Sequence, residues 1–129
     1  MPEGVRSIGK NAFYYCSQLE KPIRIPNSVT NIGELAFYGI DVLDLQFEAG
    51  NENYVVEDGV LYKLAQGVKV EIVMVSRSAQ GEFVASETIR RIAPYAFGGC
   101  DGISAIVLPE GLVEIGAFAF SVCNVVIAF

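Results

Sequence analysis

Cys16, Cys100 and Cys123 are the side chains best suited to nucleophilic or metal chemistry, and the chain holds no histidine to assist them. Without histidine there is no Ser-His or Cys-His pair, no His-rich zinc site and no supply of the commonest general base. Zinc would need a Cys-x-x-Cys pair or a fourth ligand, and both are missing. The segment "EAGNENYVVED" at 48–58 gathers carboxylates and amides that could suggest calcium. A calcium loop sets its ligands at alternating positions and closes with a bidentate Glu, a spacing this segment lacks, so it reads as solvated turns around a hairpin. Arg77, Arg90 and Arg91 could make a cationic spot, but beside Glu87 they read as a solvated, partly paired surface. No nucleophile–base pair can be assembled, so the expectation is a non-enzyme with no cofactor and no metal.

Charge and composition narrow the partners. Fifteen acidic against nine basic residues give a net charge of −6, which repels a phosphate backbone, so nucleic acid is not expected as a partner. With 129 residues and 52% hydrophobic content the chain is long enough for one domain, burying about two-thirds of its unfolded surface. Its apolar residues never approach the ~18 consecutive positions of a spanning helix, so no membrane span is expected. "MPEGVRSIGK" opens with neither an Arg-rich transit segment nor an apolar signal core, so targeting information is expected to be absent or to lie outside this sequence.

The elements that would position these side chains emerge from an internal repeat. "IGKNAFYYC" at 8–16 returns as "IGELAFYGI" at 32–40, "IAPYAFGGC" at 92–100 and "IGAFAFSVC" at 115–123. Its phenylalanines are Phe13, Phe37, Phe97 and Phe120, separated by 24, 60 and 23 residues, so the middle gap is one period plus an insertion. Five residues before each stand Ile8, Ile32, Ile92 and Ile115, and eight before stand Val5, Val29, Ile89 and Leu112. Three residues after each stand Cys16, Ile40, Cys100 and Cys123. Because Ile40 fills the cysteine register, that slot wants an apolar plug, and buried free thiols are one reading of the cysteines. A Cys100–Cys123 disulfide across adjacent coils is the other. Ile8, Ala12, Phe13 and Cys16 would share one side of a short helical turn, and "PIRIP" and "ISAIVLP" supply short strands that proline terminates. A unit this small exposes an apolar face that only neighbouring copies can cover, which predicts a solenoid.

The phrases "PEGVRSIGKNAFYYCSQLEKPIRIP" and "PEGLVEIGAFAFSVC" resemble the BspA-like leucine-rich repeat. The resemblance covers about 2–47 and 84–126, and "NENYVVEDGVLYK" at 51–63 is similar to a hairpin that interrupts such arrays. It departs from the pattern at Ile40, at an extra residue near Lys21-Pro22, at Ser86 in the proline register and at a fourth unit that ends at Phe129. The expected fold is an α/β repeat solenoid: a right-handed leucine-rich-repeat superhelix of short strands and short helical turns with an inserted β-hairpin or small antiparallel sheet. A single domain over 1–129 would hold repeats at about 2–25, 26–47, 86–108 and 109–129, with a β-rich insertion at about 48–85. Within the insertion, Asp58-Gly59 between β-formers signals a hairpin, and "GVKVEIVMV" at 67–75 a third strand, giving an antiparallel sheet at 54–84 continuous with the solenoid.

The repeat core is expected to contain Ile8, Phe13, Cys16, Ile32, Phe37, Ile92, Phe97, Cys100, Ile115, Phe120 and Cys123. Tyr14, Tyr15, Tyr38 and Tyr95 flank the Ala-Phe motifs and should point outward, either anchoring a partner or covering the convex side. Both ends begin or stop inside a repeat, which fits a piece of a longer array or ends closed by self-association through open sheet edges. The resemblance implies a secreted or cell-surface bacterial protein that adheres to host matrix proteins such as fibronectin and fibrinogen, or to other cells. For such a partner the outward strand positions would be Arg24, Asp44, Gln46, Ser104 and Val107. A spacer segment that stacks in a long array without a ligand of its own is the alternative.

Overall fold

Each repeat contributes two short strands, one at its Ile-Gly phrase and one after its cysteine register, because only there do aliphatic residues alternate with polar ones. The computed structural model describes every residue except Ser17 and Asn124. The first turn holds β1 (Ser7–Ile8) and β2 (Ile23–Ile25), and the second holds β3 (Asn31–Ile32) and β4 (Leu45–Phe47). Ahead of β4 lies a 3-10 turn at Val42–Asp44, capped by the Asp41 side chain. A hairpin of β5 (Tyr54–Glu57) and β6 (Val60–Ala65) leads into β7 (Val68–Val75) and β8 (Gly81–Val84). The last two turns hold β9 (Arg91–Ile92) with β10 (Ile103–Val107), and β11 (Glu114–Ile115) with β12 (Val126–Ala128).

Parallel pairing stacks like on like, so the repeat registers become ladders. Ile8 lies beside Ile32, and Ile92 lies between Ile72 and Ile115. On the second column Ile25 lies beside Phe47, and Ile106 lies between Phe83 and Ile127. The result is a β-solenoid of about five turns. Residues 48–85 do not stand apart from it: β7 and β8 form its middle turn, one strand in each column. The antiparallel sheet comprises β5, β6 and β7, whereas β8 pairs in parallel with β10, so the expected antiparallel run to 84 stops at Val75. At the hairpin tip Asp58 (φ 51°) and Gly59 (φ 74°) are both left-handed, as a tight two-residue turn requires.

The corners are not helical turns, which corrects the α component of the expected fold. Two residues before each repeat phenylalanine the chain is left-handed, at Asn11, Leu35, Tyr95 and Phe118, and it is so again two residues after, at Tyr15, Gly39, Gly99 and Val122. A right-handed helix cannot pass through such residues. Hydrogen bonding alternates instead. Ala12, Tyr14 and Cys16 N–H close turns on Gly9, Asn11 and Phe13, while Asn11, Phe13 and Tyr15 N–H donate to Glu34, Ala36 and Tyr38 of the next turn. The aliphatic spacing that suggested a helix fits this ribbon equally well, since either puts Ile8 and Phe13 on the inner side.

The core is split in two. One cluster spans Ile8 to Leu61 and the other Val60 to Ala119, with the hairpin contributing to both. Ile25, Ile89, Ile92, Phe97 and Ile106 are fully buried, each contributing ~1.5–3 kcal/mol of apolar transfer. Where the halves meet, neither column continues, since β3 does not pair with the middle turn and β4 does not pair with β8. Asn51 bridges this splice: its amide donates to the Pro26 and Val29 carbonyls, and its carbonyl accepts from the Asn53 and Tyr54 N–H groups. The Tyr54 hydroxyl then accepts the Ile32 N–H at 2.9 Å.

Candidate functional site

The outward strand positions divide between the two halves. Arg24 and Gln46 are exposed and sit directly opposite each other on β2 and β4. Asp44 lies one residue ahead of β4, half-buried, in a 3.0 Å ion pair with Lys21. Ser104 and Val107 lie on β10 in the other half, where Ser104 is exposed at a register irregularity and Val107 is half-buried between Val84 and Ala128. The five therefore do not form one patch.

Among the repeat residues, Ile8, Phe37, Ile92, Phe97 and Cys100 are buried, and Phe13, Cys16, Ile32, Phe120 and Cys123 are half-buried. Ile115 departs from the expected core: it is 43% exposed because β11 stacks on one neighbour, β9, and has no strand on its other side. All three cysteines are free thiols. The Cys123 thiol donates to the Phe97 carbonyl at 2.7 Å, and burial pushes the Cys100 thiol up to about 12, leaving it protonated and inert.

Sequence reasoning missed a cleft at the splice, and its cause is a shortened corner. Val75 N–H donates to the Ala96 carbonyl just as Phe13 donates to Ala36 and Phe97 to Ala119, so Val75 holds the phenylalanine register of the middle turn. It follows Ile72 by three residues, where Phe37 follows Ile32 by five. One left-handed step of the ribbon is thus missing, and the corners of turns two and four face each other across the gap. Glycine usage records this. A Cβ on Gly33 would lie 2.5 Å from the Lys10 nitrogen, and one on Gly116 would meet the Pro94 nitrogen, because full corners lie beneath them. Ala93 carries its methyl in the same register because the turn beneath it lacks that corner. That Ala-for-Gly exchange, together with the missing Ala-Phe phrase in 67–80, was the available signal.

The gap is a cavity of ≈ 240 Å³. Leu61, Val73 and Met74 line its apolar side, and Glu34, Lys63, Glu71 and Arg91 supply its charge. Arg91 joins three carboxylates, with Glu114 at 3.4 Å, Glu71 at 3.6 Å and Glu34 at 3.7 Å, though its Nε makes no hydrogen bond of good geometry. Burial raises the Glu71 carboxyl above the ordinary carboxylate range, and Arg91 and Lys63 pull it partly back. The Tyr38 and Tyr95 rings meet at 5.0 Å across the gap, and beyond them lies a second cavity of ≈ 150 Å³. These rings belong to a ladder that runs from Tyr14 through Tyr38 and Tyr95 to Phe118. Among the described residues no group of three His, Cys, Asp or Glu side chains could hold a metal ion. No helix among them is long and apolar enough to cross a membrane. The cleft thus offers apolar contact, balanced charge and backbone polar groups, which suit binding.

Stacked parallel turns, ladders of identical residues and a non-polar inner face define a repeat protein of the leucine-rich class. The match is to the BspA type leucine rich repeat region, in 6 copies over residues 1–63 and 76–128, and the chain belongs to that family. No curated protein matches it. Among solved structures it is similar to a leucine rich cell surface protein from Faecalibacterium prausnitzii A2-165, with 26% identity, a TM-score of 0.77, and coverage of 100% of this chain and 40% of that one. It is also similar to a leucine-rich repeat protein from Eubacterium ventriosum, with 28% identity, a TM-score of 0.75, and coverage of 94% of this chain and 32% of that one. A third likeness is to the pneumococcal vaccine antigen PcpA, with 25% identity, a TM-score of 0.70, and coverage of 93% of this chain and 31% of that one. The chain thus spans less than half the length of each, and none of the matches indicates a catalytic family.

Proposed function

We propose that this chain is a non-catalytic protein-interaction module of a bacterial surface or secreted protein, and that it adheres to host matrix proteins such as fibronectin or fibrinogen, or to other cells. The observation that carries the reading is the solenoid's division of labour. Inward residues such as Ile23 and Ile25 hold the fold, while their outward neighbour Arg24, opposite Gln46, is free to vary without disturbing it. The family and a neighbour named as a cell surface protein support surface placement. A spacer role is the second reading, favoured by Val113, Phe118, Val122 and Val126 on the last turn, each at least 66% exposed, which a further turn or a second copy pairing along β12 would cover. Binding of the purified chain to immobilised fibronectin and fibrinogen at physiological salt, beside a charge-matched control domain, separates the two. Saturable binding lost on Arg24→Ala and Gln46→Ala supports adhesion through the sheet face; no binding to either protein moves the assignment to the spacer.

A further inference from the structure

We propose that the cleft at the splice binds a short extended peptide segment of a partner protein, adding it edge to edge as the solenoid adds its own turns. This deepens the protein-interaction reading and rests on it. Between turns one and two, Asn11, Phe13 and Tyr15 N–H donate across the interface at 3.1, 2.7 and 2.7 Å; between turns four and five, Tyr95, Phe97 and Gly99 do so at 3.1, 2.8 and 3.0 Å. The same register on turn two holds Leu35, Phe37 and Gly39, and among the described residues none of their N–H groups has a backbone acceptor, because the shortened corner does not reach them. On the facing wall the Pro94 and Gly98 carbonyls occupy positions whose counterparts, Glu34 and Tyr38, accept such bonds, yet only Ala96 between them is served, by Val75. Along the two adjoining cavities one wall therefore offers three donors and the other two acceptors, with Leu35, Phe37 and Pro94 at the first cavity and Gly39 and Gly98 at the second.

The chemistry of the walls selects the occupant. Donors at alternate residues match the two-residue period of an extended chain, which presents carbonyls at that interval. Leu61, Val73 and Met74 offer apolar contact to a side chain in the ≈ 240 Å³ cavity. Two carboxylates, Glu34 and Glu71, balance Lys63 and Arg91, so the site does not select for net charge, and backbone pairing leads recognition. A polar group as buried as the amide of Phe37, a residue 3% exposed, gains more from a partner than an open edge does.

Peptides selected from a random phage-displayed library panned on the whole chain supply the probe, and amide hydrogen exchange read residue by residue supplies the assay. In the free protein Leu35, Phe37 and Gly39 should exchange faster than Asn11, Phe13, Tyr15, Tyr95, Phe97 and Gly99. Peptide should slow the three by ~tenfold or more. Val73→Trp, which fills the cavity, should weaken the peptide by ~tenfold or more with the unfolding midpoint retained; if that variant does not fold, the protection pattern decides alone. Selection of no peptide, protection confined to other amides, or equal protection by inorganic phosphate, which would mark an anion site, overturns the proposal. Peptide binding unchanged in a folded Val73→Trp variant removes the cleft, and matrix-protein binding through Arg24 and Gln46 then leaves the module reading standing. Peptide protection without any matrix-protein binding removes only the adhesin.

Discussion

Gly9, Gly33, Ala93 and Gly116 share one repeat register, yet the same added or removed methyl should have three different consequences there. In Gly33→Ala the new Cβ would lie 2.5 Å from the Lys10 nitrogen and 2.8 Å from the Gly9 carbonyl carbon, both backbone atoms that cannot swing aside. Turns one and two must separate, which costs ~1–3 kcal/mol in overpacking. The separation also weakens the adjacent Gly33-to-Ile8 and Asn11-to-Glu34 hydrogen bonds, each worth ~1 kcal/mol net. The expected loss is ~2–4 kcal/mol, or ~8–15 °C in Tm for a domain of this size. Gly116→Ala should behave alike, because Pro94 stands in the way. Gly9→Ala should be neutral within ~0.5 kcal/mol, since nothing lies within 4 Å of its Cβ position. Ala93→Gly should cost ~1–1.5 kcal/mol through lost methyl burial and added chain entropy. Urea unfolding followed by far-ultraviolet circular dichroism measures all four. If Gly33→Ala stays within ~0.5 kcal/mol of the parent, or Gly9→Ala costs as much as Gly33→Ala, the stacked-corner account fails.

Two further outcomes probe the splice. Asn51→Ala removes four hydrogen bonds, and at ~0.5–1.5 kcal/mol each, with water replacing some, should cost ~2–3 kcal/mol, whereas Asn51→Asp keeps the two it accepts and should cost about half; chemical denaturation compares them, and equal losses would contradict the bonding pattern. Glu71 has a carboxyl raised by burial, so between the unfolded and folded titration points the native state holds more protons and stability falls as pH rises. The stability of the parent relative to Glu71→Gln should therefore decline from the ordinary carboxylate range upward and level off above the folded value, measured as Tm against pH, and a flat difference would refute it.

The sequence by itself determined the repeat. Ile8, Ile32, Ile92 and Ile115 recur because each turn must seal against the next, and that demand is local in residue type and spacing. The family resemblance, the solenoid and the Asp58-Gly59 hairpin were legible for the same reason. The conformation of the corners was not legible, since Asn11, Leu35, Tyr95 and Phe118 share a left-handed backbone but no residue type. Neither was the cleft. Leu35 and Phe37 look like every other corner residue in the sequence, and only the stacking order leaves their N–H groups facing a turn that is two residues too short. Which edge is paired and which is open depends on what a turn is stacked against, and that neighbour, distant in sequence, is decided by tertiary structure alone.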